Sequence, residues 1–319
     1  MKKILITGAS GFIGSFLVEK ALDEGMEVWA GIRSTSSREY LSDARIRFID
    51  LNYSDKEKLT AQLKSHKQEN GKWDYVIHNL GVTKCLDYAD FEKINFGYTK
   101  CLIEALAEAA MIPEKFLLMS SLSVYPVPET IYAKSKLKAE IFLKAQSGFP
   151  YVILRPTGVY GPRDMDYLLM MKSIKAGIDV AAGLETQRLT FIYVKDLAKA
   201  AFLALNSKWT NKTWFVSDGD EYSDKEYSEI VKHAMDKRFV LRVRIPLPVL
   251  KAISAGAELV SKITKKPSTL NNDKYLIMKR RNWTCDVLPL WNDLGFTPDY
   301  DLKRGVEEAL QWYRGKGLL

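Results

Sequence analysis

Cysteine and histidine are the scarcest chemistry-bearing residues in this chain. Cys85, Cys101 and Cys285 are scattered, and none stands in a C-x-x-C pair. That argues against a disulfide framework and suits a reducing compartment. His66, His78 and His233 lie too far apart in sequence to suggest a metal site, so no metal is expected. Long apolar runs are missing too, since nothing approaches the ~20 residues a membrane span needs. Lys2-Lys3 mimics the start of a secretion signal, but only Ile4-Leu5-Ile6 follows before a glycine loop, far short of a signal's apolar segment. A cytoplasmic location is expected. Neither an internal repeat nor a low-complexity stretch is visible.

What is present is ordinary for a soluble globular protein, with 47% hydrophobic and 27% charged residues. The 319 residues suffice for a sizeable core in one large domain or two unequal lobes. The net charge of +8 raises the question of a polyanionic partner. Lys and Arg are spread along the chain, apart from a cluster through Lys262, Lys265, Lys266, Lys274, Lys279, Arg280 and Arg281. A nucleic-acid partner is therefore not expected, whereas an anionic cofactor and substrate are.

Short apolar runs alternate with amphipathic stretches through the first half. The pattern predicts strands over Lys3–Thr7, Glu27–Gly31, Ile46–Asp50, Tyr75–Leu80, Lys115–Ser120 and Tyr151–Arg155. It predicts helices over Phe12–Glu24, Lys56–Lys64, Phe91–Ala110 and Ala133–Lys144. Such alternation implies right-handed crossovers and an α/β fold with a doubly wound parallel sheet. After about Pro156 the rhythm loosens, though Leu189–Val194 reads as another strand and Asp196–Leu205 as another helix. The expected organisation is a dinucleotide-binding domain over residues 1–160, with the segment near 189–206 returning to it. Residues 161–319 then form mainly a smaller substrate-binding lobe.

Thr7-Gly8-Ala9-Ser10-Gly11-Phe12-Ile13-Gly14 follows an apolar strand and opens a helix. In that context Gly8 permits the tight turn, Gly11 lets the backbone approach a pyrophosphate, and Gly14 lets helix and strand pack closely. Ser10, Phe12 and Ile13 complete the loop and first turn, whose amide groups and dipole face the phosphates. An NAD site usually carries Asp or Glu roughly 20 residues further on. Here Gly31-Ile32-Arg33-Ser34 stands at the end of the second strand, with Arg38 beyond. Arg33 beside small hydroxyl residues suits a 2′-phosphate, which favours NADP while leaving NAD open. Asp50-Leu51, at the end of the third strand, is placed to meet the adenine.

Tyr132 and Lys136 stand at i and i+4, on one face of a helix whose buried stripe includes Ala133, Leu137 and Ile141. A free tyrosine titrates near pH 10. A fixed ammonium nearby favours phenolate, so the pair suits proton transfer at a C–O carbon. Lys136 would also hold the cofactor ribose. Ser121, just after the strand ending Met119-Ser120, is placed to donate to the substrate oxygen where charge develops. Ser120 and Ser123 read as strand-end caps.

These residues together resemble the extended short-chain dehydrogenases/reductases, the NAD-dependent epimerase/dehydratase family. The resemblance is carried by the glycine loop at 7–14, His78-Asn79-Leu80-Gly81, Asn95, Ser121, Val124-Tyr125, Tyr132 and Lys136. It continues through Leu154-Arg155-Pro156-Thr157-Gly158-Val159-Tyr160-Gly161-Pro162, then Phe191-Ile192-Tyr193-Val194-Lys195-Asp196-Leu197-Ala198, and the closing Leu294-Gly295-Phe296-Thr297-Pro298. The resemblance implies that Asn79, Leu80 and Gly81 border the cofactor, and that Asn95 braces the central helix and a proton-relay water. It also implies that Pro156 and Thr157 lie by the nicotinamide, and that helices near 91–110 and 132–145 pair into a homodimer.

The same family contains dehydratases, epimerases and reductases. A dehydratase of this type has Thr-Asp-Glu where this chain has Ser121-Leu122-Ser123, so loss of water is not expected. Sugar-nucleotide epimerases carry an Arg before the Phe-Ile-Tyr-Val strand. Arg188 is displaced by one residue from it, Leu189 takes the expected place, and Tyr125 is followed by Pro126 rather than Gly. The favoured reading is reversible hydride transfer between a nicotinamide and an alcohol or ketone. Alternatives are a nucleotide-sugar epimerase and, from another class, a non-catalytic NADP sensor. Tyr167-Leu168-Leu169-Met170-Met171 would suit a greasy pocket. Leu247–Ile263, an amphipathic helix before Lys265-Lys266, suits either a pocket or a membrane surface; core packing is the plain alternative for both.

Overall fold

A computed structural model describes residues 1–264 and 270–319, with the side chain of Lys262 outside the description. The chain divides into two compact units, residues 1–155 with 198–214 and residues 156–197 with 215–319.

The first unit contains β1 (Lys3–Thr7), α1 (Phe12–Asp23), β2 (Glu27–Gly31), β3 (Arg47–Ile49), α2 (Lys56–Asn70) and β4 (Tyr75–His78). There follow α3 (Ala89–Phe91), a π-helical segment over Glu92–Gly97, α4 (Tyr98–Glu108), β5 (Lys115–Met119), a 3-10 turn over Leu122–Val124, α5 (Ile131–Lys144) and β6 (Tyr151–Pro156). The second unit adds β7 (Gly158–Tyr160), α6 (Asp166–Lys175), β8 (Ile178–Ala182), β9 (Arg188–Leu189) and β10 (Phe191–Tyr193). Three elements pass through the unit boundary: β6 at its last residue, Pro156, with α7 (Val194–Asn206) and β11 (Lys212–Val216). β12 (Tyr222–Ser223), α8 (Asp224–Ala234), β13 (Leu241–Ile245), α9 (Leu247–Thr264), α10 (Asn272–Lys279), α11 (Leu288–Leu294) and α12 (Leu302–Gly315) complete it.

Seven strands form one sheet in the order β11-β6-β5-β4-β1-β2-β3, parallel from β6 to β3. β1, β4 and β5 are buried almost throughout, as strands covered on both faces must be. The order reverses between β1 and β4, and such a switch point opens a crevice at the carboxyl ends of the strands. The loops after β1 and β4 therefore meet there. The strand expected over Ile46–Asp50 is shorter because Ile46 gives its N–H to the Asp43 carbonyl rather than to the ladder. α5 begins at Thr130, whose hydroxyl accepts from the Ala133 N–H at 3.0 Å, a cap worth about 1 kcal/mol.

The return to the first unit expected near residues 189–206 is divided, since residues 198–214 group with that unit and 189–197 do not. The strand predicted over Leu189–Val194 does not rejoin the large sheet: β10 pairs in parallel with β7 inside the second unit, and β11 supplies the seventh strand. The second unit is built on tyrosine. Tyr160, Tyr193, Tyr227 and Tyr313 are buried, and Phe191 stacks on Tyr227 at 5.2 Å. Gly305 belongs to this packing, since a Cβ there would lie 2.2 Å from the Tyr160 hydroxyl. The greasy segment of α6 splits between two surroundings, with Leu168 and Met171 in this core and Leu169 and Met170 exposed. Of the expected basic cluster, Lys265 and Lys266 lie outside the described residues. Arg280 stacks over Trp283 and Arg281 donates to the Ala182 carbonyl, so both serve the local fold.

Candidate active site

The glycine loop is fixed by contact. Gly8 adopts φ +66°, and a Cβ on it would lie 3.0 Å from the Leu80 main chain after β4. A Cβ on Gly14 would lie 2.1 Å from the Gly8 carbonyl oxygen, a clash no relaxation of one side chain relieves. Gly11 starts α1 with no side-chain cap. At 3.3 Å from the Gly8 oxygen its missing Cβ is tight rather than barred. An uncapped helix start presents the first-turn amides that the helix itself cannot bond, an arrangement that fits a phosphate group. Ser10, Phe12 and Ile13 are half-buried around this turn.

A buried chain of hydrogen bonds ties the loop after β4 to the sheet. The Leu80 N–H donates to Thr7 Oγ1 at 3.1 Å, and Thr7 Oγ1 lies 2.9 Å from His78 Nδ1. His78 Nε2 lies 3.0 Å from Thr99 Oγ1, which donates to the Asn95 carbonyl at 2.8 Å. Burial holds the His78 ring far below its usual range, at about 3, so it is neutral. Thr99 has one proton and spends it on Asn95, so Nε2 carries the ring hydrogen and Nδ1 accepts from Thr7.

Asn95 sits in the π-helical segment, 1% exposed. Its Oδ1 accepts from the Val82 N–H at 2.8 Å, while Nδ2 donates to the Val82 carbonyl at 3.1 Å and to Ser135 Oγ at 3.0 Å. Ser135 in turn donates to the Tyr132 carbonyl at 2.8 Å. Gly81 allows this closeness, since a Cβ there would be 3.0 Å from both Asn95 Oδ1 and Lys136 Nζ. The Lys136 ammonium donates to the Met119 carbonyl at 2.9 Å, and burial lowers its pKa to about 8 against the raising influence of Glu140.

One turn earlier on α5, the half-buried Tyr132 shares a hydrogen bond with the Ser121 side chain. Burial raises the Tyr132 pKa, and the bond from Ser121 opposes it by favouring phenolate. Ser121 Oγ accepts from the Ser123 hydroxyl at 2.9 Å, leaving its own proton for Tyr132. Ser123 is thus more than the strand-end cap its position suggests. Ser120 differs likewise, donating to Glu140 at 2.5 Å. Arg155 grips the fully buried Glu140 with two bonds, at 2.9 and 2.6 Å. Burial alone would raise the Glu140 pKa, but the bonds from Arg155 and Ser120 bring it below the usual range.

The remaining expected residues are not joined to this cluster by described contacts. Arg33 is exposed at the end of β2. Asp50 accepts from the Ser34 N–H at 2.7 Å, and Arg38 stacks over Phe48 at 4.0 Å. The Leu51 side chain is buried in the core of the first unit, so it does not stand free to meet a base. Asn79 directly follows β4. Pro156 closes β6, and Thr157 gives both its N–H and its hydroxyl to the Val216 carbonyl. Arg188 is ion-paired with Glu221.

A family model for the NAD dependent epimerase/dehydratase family matches residues 4–216, two thirds of the chain. The chain belongs to that family. Among curated relatives, a ceramide reductase from Caulobacter vibrioides is 24% identical, covering 99% of this chain and 96% of its own. A putative UDP-glucose 4-epimerase from Methanocaldococcus jannaschii is 25% identical over 98% of both chains. Among solved structures, the Bordetella bronchiseptica enzyme WbmG in complex with NAD and UDP aligns with a TM-score of 0.75, covering 99% of this chain and 96% of that one at 23% identity.

Relatives in this NAD-dependent epimerase/dehydratase family thus include both reductases and epimerases. Sequence reasoning did not foresee the hydrogen bonds that Ser123 and Glu140 make beside Ser121 and Ser120, and named His78 only as part of a motif. Ser123 left no signal beyond its nearness to Ser121. A histidine between a buried strand and a glycine, with threonines at 7 and 99, reads as packing until the strands are paired.

Proposed function

We propose that this chain is an NAD(P)-dependent oxidoreductase that transfers hydride reversibly at a secondary alcohol or ketone carbon. The observation that carries this reading is the Ser121–Tyr132 hydrogen bond with Lys136 one turn further along α5. When bound, the nicotinamide ring supplies or accepts the hydride. Tyr132 gives its hydroxyl proton to the carbonyl oxygen in reduction and takes it back in oxidation. Ser121, its acceptor side filled by Ser123, gives its hydrogen to Tyr132 in the free chain and would turn it to the substrate oxygen where charge builds. The Lys136 ammonium favours phenolate at Tyr132, and its anchor on Met119 fixes the charge in place. Gly8, Gly11, Gly14, Asn79, Leu80 and Gly81 would border the dinucleotide, and substrate recognition is assigned to the second unit, with Pro156 and Thr157 at its start.

NADP is preferred to NAD in this reading. Arg33 stands exposed where an NAD site carries an acid, and the Asp50 carboxylate is drawn to the Ser34 amide. Arg33→Ala is expected to weaken NADPH at least about tenfold while leaving NADH nearly unchanged. Equal loss of both, measured by fluorescence titration, would remove the 2′-phosphate assignment.

Two features support a carbonyl substrate without a nucleotide. Arg188 is occupied by Glu221, and Leu189 holds the place of the Arg that would grip a substrate pyrophosphate. The buried Leu122, where a dehydratase has an acid, supports excluding dehydration. The likeness to the putative UDP-glucose 4-epimerase favours a second reading, in which hydride returns to the opposite face of a keto intermediate. Cofactor deuterated at nicotinamide C4 separates the two. Label transferred one-for-one with net NADPH consumption is the expected result. Epimerised product without net cofactor loss would replace the reductase reading.

A further inference from the structure

Two adjoining elements of the second unit are built inside out. β8 and β13 pair in parallel with Ile178 opposite Leu241 and Val180 opposite Val243. Alternation puts these four on one face, and all are exposed by between 39% and 54%. The opposite face is ionic: Arg242 donates to Asp179 at 2.5 Å and lies 2.8 Å from the Asp224 carboxylate as an ion pair, and Ser228 completes the group at 2.8 Å from Asp179.

The chain runs through Pro246 directly into α9, where the inversion continues. The helix buries Leu250 with Ser254 and Ser261, spaced for one face and mostly polar. Its apolar stripe points outward. Val249, Ile253, Leu259, Val260 and Ile263 are between 46% and 73% exposed. A Cβ at Gly256, on the same arc, would meet nothing within 4 Å. Core packing, one sequence-level reading of this helix, is therefore not what its apolar residues do. Nor does it span a bilayer, because no helix among the described residues is long and apolar enough.

Charge selects the occupant. Arg242 and Arg244 are paired with Asp179 and Asp224 on the inner face, which leaves Lys237, Arg238 and Lys251 as the other described cations between Lys237 and Thr264, against one acid, Glu258. That acid accepts from the Asn272 amide, and Lys251 and Arg238 are exposed. A second copy docked on this face about a twofold axis would set like charges against each other. An apolar stripe flanked by cations, lying flat, matches the headgroup region of an anionic bilayer. We propose that β8, β13 and the outer face of α9 form a docking surface for anionic lipid membranes.

The test uses the full chain with NADPH and vesicles of phosphatidylcholine alone or mixed with phosphatidylglycerol. Co-sedimentation with the anionic vesicles, and weak or no pelleting with the neutral ones, is expected. The double substitution Ile253→Glu and Val260→Glu should cut pelleting about tenfold or more while leaving thermal unfolding and NADPH binding unchanged. Hydrogen exchange on the native chain serves if that variant does not fold, with new protection expected over residues 241–264 when anionic vesicles are added. No pelleting of the native chain, unchanged pelleting of the variant, or absent protection would each overturn the proposal. So would a variant whose only change is dissociation of a dimer, which would make the face a contact between copies.

Discussion

Ser123, Ser121 and Tyr132 form a short directed row of hydroxyls, each with its proton aimed at the next. Tyr132→Phe is expected to abolish hydride transfer in single-turnover assays while NADPH still binds. Ser123→Ala should lower kcat several-fold with little change in KM, because only the orientation of the Ser121 proton is lost; an unchanged kcat would return Ser123 to a capping role. Lys136 makes a second prediction. Its folded pKa, about 8, is depressed below the ordinary 10.5. Between those values the unfolded chain holds a proton that the folded chain has released, so stability rises with pH across this window and its contribution is lost as pH falls through 8. Urea unfolding across that range should show a steeper rise for the native chain than for Lys136→Met. The sequence made Tyr132, Lys136 and Ser121 legible through spacing and position after a strand. Ser123 was opaque because a donor two residues away differs from a cap only in where its hydroxyl points.

At the scale of elements, the π-helical segment over Glu92–Gly97 matters most. Its wider turn is where Asn95 clamps both polar groups of Val82. Periodicity predicted one continuous helix over 91–110, since a single extra residue in a turn hardly disturbs an apolar stripe. β4 and α4 are tied through His78, whose depressed pKa leads to a prediction of opposite range. Below 6.5 the unfolded chain takes up a proton that the folded ring refuses down to about 3. Stability should therefore fall as pH drops through that interval, and His78→Gln should flatten the dependence. The variant also loses about 1–3 kcal/mol at all pH values through broken buried hydrogen bonds. Guanidinium midpoints measured from neutral pH downward decide it, and equal slopes would count against the neutral ring.

For the molecule as a whole, the doubly wound sheet was legible because several parallel strands, β1, β4 and β5 above all, carry nearly continuous apolar runs between helical patterns. The seventh was not. β10 is as apolar as its neighbours, and composition does not say which partner a strand pairs with; β11, by contrast, begins Lys212-Thr213 and announces itself weakly. A homodimer through α4 and α5 is expected from the family resemblance. Ile141, expected in the buried stripe of α5, is instead exposed there, beside half-buried Phe96 and Phe142, whose rings meet edge to face at 6.2 Å. Ile141→Glu should shift sedimentation from dimer to monomer without loss of NADPH binding. A native chain that already sediments as a monomer would exclude the pairing.

The buried run from Leu80 to Asn95 begins at an amide that can only give a hydrogen and ends at a carbonyl that can only take one. Its polarity is therefore set at both ends, and His78 between them cannot pass a proton along without stranding a partner. The imidazole acts as a fixed spacer. In a nitrogen-15 spectrum its two ring nitrogens should remain distinct, one protonated and one bare, and keep that assignment from neutral to mildly acidic solution.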